Sequence, residues 1–287
     1  MIIAVLADIH SNLQALQAVL ADARAQGAQQ FIVAGDHVID GPSVEVLDRV
    51  MELTPLVIRG NREEYLLERR AGSIPSWEGF HQMASTQWSY ERMEPRYWHF
   101  IESLPAQTTL QIEGVCLRVV HGSPWKTRGR LVPGENNGDI GRASREVAED
   151  VLIHAHTHLP GMLRTGGKLF VNPGSVGVAF DVPGYTASYA LMHIAGGTVQ
   201  PVQRCVPFDA EAFWQEVRSS GLMDAAPHWT MLTFMSVRDG REYCMPFLQD
   251  AAEERRRRGL SDEGFFSNEI WEAVWKRWVE RLPQLRF

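Results

Sequence analysis

The chain has 287 residues, 45% of them hydrophobic and 22% charged, with a formal net charge of −7. That length supports one large domain or two modest ones with a sizeable core, and the acidic balance argues against whole-surface attraction to nucleic acid. Three scattered cysteines, Cys116, Cys205 and Cys244, form no C-x-x-C pair, so a disulfide framework or thiolate metal site is not expected and a reducing compartment is.

In chain order, Ile2–Ala7 reads as a fully buried strand, too short for a signal sequence or a membrane span, which gives the expectation of a soluble, cytoplasmic protein. "NLQALQAVLADARAQ" follows as a helix with Leu13, Leu16, Val19, Leu20 and Ala23 on one face. "QFIVAGD" is a second buried strand, a helix is expected from Ser43 as its N-cap to Glu52, and "PLVIRGN" is a third strand. Short apolar strands alternating with amphipathic helices indicate βαβ units with parallel strands. Residues 62–104 read as a mostly helical insertion rich in aromatic residues.

Beyond Leu104 the chain becomes strand-rich. Two strands surround Glu113-Gly114 and end at His121, and "DVLIHAHTH" is another buried strand. Hairpins are expected across Gly166-Gly167 and Gly196-Gly197. From Phe208 the pattern is helical again, and "NEIWEAVWKRWVERL" aligns Trp271, Val274, Trp275, Trp278 and Leu282 as one stripe. That stripe suits a core, a contact in a homo-oligomer, or a wall beside a crevice. The expected division is a core over 1–207 and a mostly helical extension over 208–287 packed on it.

The expected strand ends carry Asp8 and His10, Asp36, Asn61, His121, and the pair His156 and His158. Ligands in α/β sheets bind beyond the carboxyl ends of strands, where loops converge. In extended chain, residues i and i+2 point to the same side, so Asp8/His10 and His156/His158 can each address one point. Mixed imidazole and carboxylate donors suit Zn, Fe, Mn or Ni. Each residue alone has a structural explanation: Asp8 as a helix cap, His10 as a partly buried polar residue, Asn61 as an N-cap. Seven of them at five strand ends point to a metal centre.

"DIH", "GD", "GN", "HGSP" and "HTH", in this order, resemble the calcineurin-like metallophosphoesterase superfamily, and "NPGSVG" at 172–177 and Gly41-Pro42 extend the likeness to its small bacterial and archaeal phosphoesterases. The resemblance covers about residues 1–205. It implies a four-layer α/β/β/α sandwich of two stacked mixed sheets. It further implies two divalent or mixed-valence ions (Mn, Fe, Zn or Ni) about 3.5–4 Å apart. Asp8, His10 and His158 would hold one, Asn61, His121 and His156 the other, and Asp36 would bridge them. A metal-bridging hydroxide would then cleave a phosphomonoester or phosphodiester of a small molecule or a protein, with nucleic acid and membrane disfavoured as partners. The alternative is a metal-binding scaffold or regulatory protein of the same fold, although such members have gaps in the ligand set and here every position is filled.

Where most members have histidine after the "GN" asparagine, this chain has Arg62. A guanidinium cannot give up its proton, so Arg62 is expected to clamp phosphate rather than act as general acid. Asp40 stands where relatives often place Arg or Tyr, and Arg62 is its candidate partner. His37, beside Asp36, is a candidate for the missing proton donor, and His154 for a supporting or core histidine. His81, His99, His193 and His228 fit no ligand pattern, and "RRRR" at 255–258 reads as a solvated helix face.

Overall fold

A computed structural model describes residues 1–53, 56–74, 77–132, 138–261 and 263–282. Pro55, which opens the expected third strand, and the last five residues of the expected extension lie outside the described residues.

Side-chain alternation along β1 (Ile2–Leu6) sets the layering. Ile3 and Val5 face one way, Ala4 and Leu6 the other, and all four are inaccessible to solvent. A strand covered on both faces reads as an unbroken apolar run, and that run rather than any alternation is what located it. It pairs in parallel with β2 (Gln30–Ala34) and antiparallel with β9 (Thr186–Ala195). With β3 (Val57–Ile58) and β10 (Thr198–Pro207) the first sheet has the order β10-β9-β1-β2-β3. The second contains β4 (Gln107–Ile112), β5 (Val115–Val120), β6 (Val151–Ile153), β7 (Gly161–Thr165) and β8 (Lys168–Asn172), in the order β4-β5-β6-β8-β7.

Ile3, Val5, Ile32 and Ile58 of the first sheet meet Leu117, Val119, Ile153 and Val171 of the second in one shared core. The opposite face of the first sheet lies under α1 (Leu13–Ala25) and α2 (Val46–Leu53), while Leu152 and Phe170 of the second pack against Ala143 of α6 (Asp139–Glu146). The result is the expected α/β/β/α stack of two mixed sheets. The two-residue hairpin turns fall where expected, with positive φ at Gly166 (56°), Gly167 (75°), Gly196 (55°) and Gly197 (74°), which only glycine adopts without strain.

Local chemistry moves two boundaries. Asn12 caps α1, its Oδ1 accepting from Ala15 N (3.0 Å), so capping is not the work of Asp8. α2 begins at Val46 rather than at Ser43, because Ser43 N donates to Ser11 O (3.1 Å) and its hydroxyl to Glu45 (2.6 Å), tying down the loop that carries Asp40.

The stretch expected as a helical insertion contains α3 (Asn61–Arg70), a 3-10 turn (His81–Met83), α4 (Ala84–Glu91) and α5 (Pro95–Ser103). The C-terminal helices are α7 (Ala210–Ser219), α8 (Leu222–Ala225), α9 (Pro227–Asp239), α10 (Cys244–Arg257) and α11 (Asn268–Arg281). Trp271, Val274, Trp275 and Trp278 are core residues of this last group, packed with Phe247 and Trp229. The expectation of a solvated arginine run is corrected in part. Arg255 is 8% exposed, with its guanidinium over Phe266, while Arg257, Arg258 and Arg277 converge on buried Glu254. Among the described residues no helix is long and apolar enough to cross a membrane.

Replacing Trp271, whose side chain is wholly enclosed, removes the centre of the C-terminal cluster. Trp271→Ala is expected to lower the unfolding free energy by about 3–5 kcal/mol in chemical denaturation.

Candidate functional site

The strands stop short of the residues they deliver. β1 ends at Leu6 and β6 at Ile153, so Asp8, His10, His156 and His158 sit in the loops beyond. Their φ angles are 52°, 47°, 69° and 59°, and Asp36 beyond β2 has 53°. The extended i, i+2 arrangement expected for both pairs is therefore corrected. Left-handed turns, at a cost of order 1–3 kcal/mol each for non-glycine residues, aim these side chains inward.

Surrounding hydrogen bonds hold the turns. Asp8 N donates to Gly35 O (3.0 Å), His10 N to Asp36 O (3.1 Å) and His156 N to Asp8 Oδ2 (3.1 Å). The "NPGSVG" segment closes over them: Ser175 Oγ donates to Asp8 O (2.7 Å), and Asn12 Nδ2 to Gly177 O (3.0 Å). Gly60 is required by contact, since a Cβ there would strike the Asp36 carboxylate.

Two triads result. Asp8, His10 and His158 form one, Asp36, His121 and His156 the other, and within each the candidate ligand atoms lie inside 4.8 Å of one another. Asp36 Oδ2 lies between them, 3.4 Å from His121 Nε2 and 3.9 Å from His10 Nε2. Asn61 Oδ1 is 3.1 Å from His121 Nε2. The asparagine is not the N-cap of α3. Gly60 holds that position, and Glu63 reaches back to accept from Gly60 N (2.7 Å).

The hydrogen-bond roles show what the centre can hold. His121 Nδ1 is 2.8 Å from Ala34 O and His158 Nδ1 is 2.7 Å from Val178 O. A carbonyl only accepts, so both Nδ1 atoms carry the proton and both Nε2 lone pairs point into the centre. There Asn61 Oδ1 and Asp36 Oδ2, both acceptors, face His121, and His158 Nε2 faces His10 Nε2 at 3.1 Å, a contact in which His10 can donate. Asp8 Oδ1 and His10 Nδ1 are buried with no hydrogen-bond partner. Buried acceptors turned on one another need positive charge between them, and this donor set fits transition-metal ions.

Without metal, protons fill that need. Burial alone would pull the His121 imidazole down, but Asp36 and Asp8 outweigh it and push it up to about 10. Burial pushes the Asp8 carboxyl up to about 8, with Asp36 adding to the effect and His121 opposing it. Burial holds His10 and His158 below the ordinary imidazole value, and burial together with His121 brings His156 down to about 4. These three are neutral imidazoles, the form that ligates metal.

Arg62 and Asp40 pair as expected, Arg62 Nη2 lying 2.5 Å from Asp40 Oδ2. Asp40 Oδ1 also accepts from Ser85 Oγ (2.8 Å) on α4 and Trp229 Nε1 (2.7 Å) on α9. One carboxylate thus joins the core, the insertion and the C-terminal helices. The fold does not bring His37 to the cavity: its side chain is fully buried, with Nδ1 3.2 Å from Glu63 and the ring against Phe100. The ring is therefore not part of the cavity lining above Asp36. His154 is a core histidine packed on Phe170, accepting from Asn172 Nδ2 (3.4 Å).

Glu63 is the residue that sequence reasoning missed. Wholly buried, its carboxylate accepts from the backbone N–H of Asp36 (2.9 Å), His37 (2.9 Å) and Gly60 (2.7 Å), fixing both turns that carry Asp36 and Asn61. Its signal was an acid two residues after the asparagine, legible only as a helix-start acid.

A cavity of about 590 Å³ opens above the triads, lined by His10, Asp36, Asn61, His156 and His158, by Arg62, and by apolar residues of the insertion and the C-terminal helices.

A sequence model of the calcineurin-like phosphoesterase superfamily domain matches residues 1–197. The chain belongs to that superfamily. Uncharacterized protein MJ0912 of Methanocaldococcus jannaschii is 26% identical over 248 residues, 79% of this chain and 94% of that protein. The metallophosphoesterase structure from Sphaerobacter thermophilus superposes with a TM-score of 0.66 at 22% identity, covering 81% of this chain and 100% of that one. Hypothetical protein PH1004 from Pyrococcus horikoshii gives 0.68 at 20% identity, covering 84% and 99%. Superfamily membership supports metal binding and phosphorylated substrates, and the two triads are the residues here that suit it.

Burial alone would raise Glu63, but His37 and the backbone donors hold its carboxyl below the ordinary value. A depressed folded-state value contributes stability above the unfolded pKa of about 4.5 and loses it as pH falls through the folded one. Glu63→Gln, which turns an acceptor into a donor facing an N–H group, is expected to cost about 3 kcal/mol at pH 7. It should also flatten the fall of stability below pH 4.5, read from denaturation curves across pH.

Proposed function

We propose that the protein is a two-metal phosphohydrolase acting on small organic phosphates. Asp8, His10 and His158 would hold one ion, Asn61, His121 and His156 the other, and Asp36 both. The observation that carries this reading is the inward set of opposed, buried acceptors at the floor of a cavity that also presents a guanidinium. When bound, the ion pair supplies a water of lowered pKa and neutralises phosphate charge.

The chain's own residues then bind and orient. Burial opposes the Arg62 charge, but Asp40 and Asp36 outweigh it and keep the guanidinium protonated. Arg62 Nε is buried without a hydrogen-bond partner, 4.0 Å from Asp36 Oδ2, and the residue lines the cavity. Asp36 Oδ1 accepts from Arg62 N (2.8 Å), so the residue that supplies the clamp is hydrogen-bonded to the expected bridging carboxylate. Neither Arg62 nor His37 can hand a proton to the leaving oxygen, which favours leaving groups that depart as anions.

Cavity size supports a small substrate, since ligand sites of about 300–1,000 Å³ enclose small organic molecules. Met83 from the insertion and Met245, Leu248 and Phe265 from the extension give it an apolar wall. On this reading residues 1–207 carry the chemistry and 208–287 the substrate-facing cover.

Manganese-loaded protein is expected to cleave aryl phosphates much faster than alkyl phosphates, and Arg62→His to narrow that gap. Equal rates on both would reject the leaving-group argument. Arg62→Ala is expected to reduce kcat/KM on an aryl phosphate about 100-fold. Asp36→Asn should lose both bound metal and turnover, and wild-type protein that takes up no metal and turns over no phosphoester would refute the assignment.

A further inference from the structure

His81 and His228 fit no ligand pattern in the sequence, but the fold gives them a shared partner. His81 lies in the 3-10 turn of the insertion, His228 at the start of α9, and Glu272 on the first turns of α11. One Glu272 oxygen, Oε1, is 2.9 Å from His81 Nδ1 and 3.8 Å from His228 Nδ1. The three candidate ligand atoms fall within 4.8 Å of one another, in a cluster separate from the catalytic triads.

Two features separate this cluster from an ordinary surface ion pair. His81 Nδ1 is shut off from solvent and has no aligned hydrogen-bond partner, although the carboxylate oxygen is close. A proton on Nδ1 would be out of line with the carboxylate oxygen, and a cation set beside both atoms would satisfy them. The rings are also positioned independently of any ligand. His228 stacks on Trp275 at 4.3 Å, and His81 N donates to Asn268 Oδ1 (2.9 Å), whose Nδ2 donates to Gly79 O (2.6 Å). The side chains of Glu272 and His81 are 50% and 42% exposed, which leaves an entry path from solvent.

We propose that His81, His228 and Glu272 bind one divalent transition metal ion of the zinc type, with water in the fourth position, as two imidazoles and a carboxylate suit. The ion clasps the insertion to the C-terminal helices above the catalytic cavity. Gln82 and Met83, next to His81, line that cavity, as does Trp229, next to His228. The clasp therefore fixes two segments of the substrate wall without touching the reacting atoms.

The test uses metal-stripped full-length protein titrated with zinc, followed by gel filtration and elemental analysis. The His81→Ala/Glu272→Gln variant is expected to retain one zinc equivalent fewer than wild type, and zinc should raise its melting temperature less. The equivalent it lacks should bind wild type with micromolar or tighter affinity. Asp36→Asn/His121→Ala protein should still lose that equivalent when His81 and Glu272 are replaced, which separates the clasp from the catalytic reading. Should the double variant not fold, Glu272→Gln alone, at an exposed position, is expected to show the same deficit. Zinc content equal to wild type in the folded variant, or affinity weaker than micromolar, overturns the proposal.

Discussion

Buried acceptors pointing at one another dominate this molecule. Asp8, Asp36, Asn61 and the inward nitrogens of His10, His121 and His158 share one small volume at the floor of the cavity, and carbonyls fix the rings of His121 and His158. Such a cluster is repulsive unless positive charge enters it. Protons on His121 and Asp8 meet some of that demand, and metal ions meet it more completely. The strained turns at Asp8, His10, Asp36, His156 and His158 persist because side-chain hydrogen bonds to the surrounding backbone, with Glu63 accepting and Ser175 and Asn12 donating, hold them.

Asp40 has the corresponding role at the rim of the cavity. It holds the Arg62 guanidinium, accepts hydrogen bonds from the Ser85 hydroxyl and the Trp229 indole N–H, and so binds three separate stretches of chain together. An acid at that position would repel phosphate if it stood alone. Paired with Arg62 and two neutral donors, it anchors the guanidinium at the cavity. The C-terminal helices, beyond the residues matched by the superfamily model, turn an open crevice into a partly enclosed apolar cavity.

Much of this was legible from residue order. Unbroken apolar runs marked β1 and β2, glycine pairs marked the hairpins, and polar residues at strand ends marked the seven positions that the fold gathers. The pairing of Arg62 with Asp40 was also legible, because a buried acid requires a cation beside it. Other features were not. The rotation of His37 away from the cavity, the role of Glu63 beneath two turns and the meeting of His81, His228 and Glu272 depend on contacts between segments distant along the chain.

The sequence by itself determined the layered α/β class and the chemical kinds of donor available, since these follow from periodicity and from residue type at strand ends. Only the tertiary structure decided which donors face one another and what walls the cavity. Left-handed turns and packing across non-adjacent elements set side-chain direction, and neither leaves a mark in local sequence.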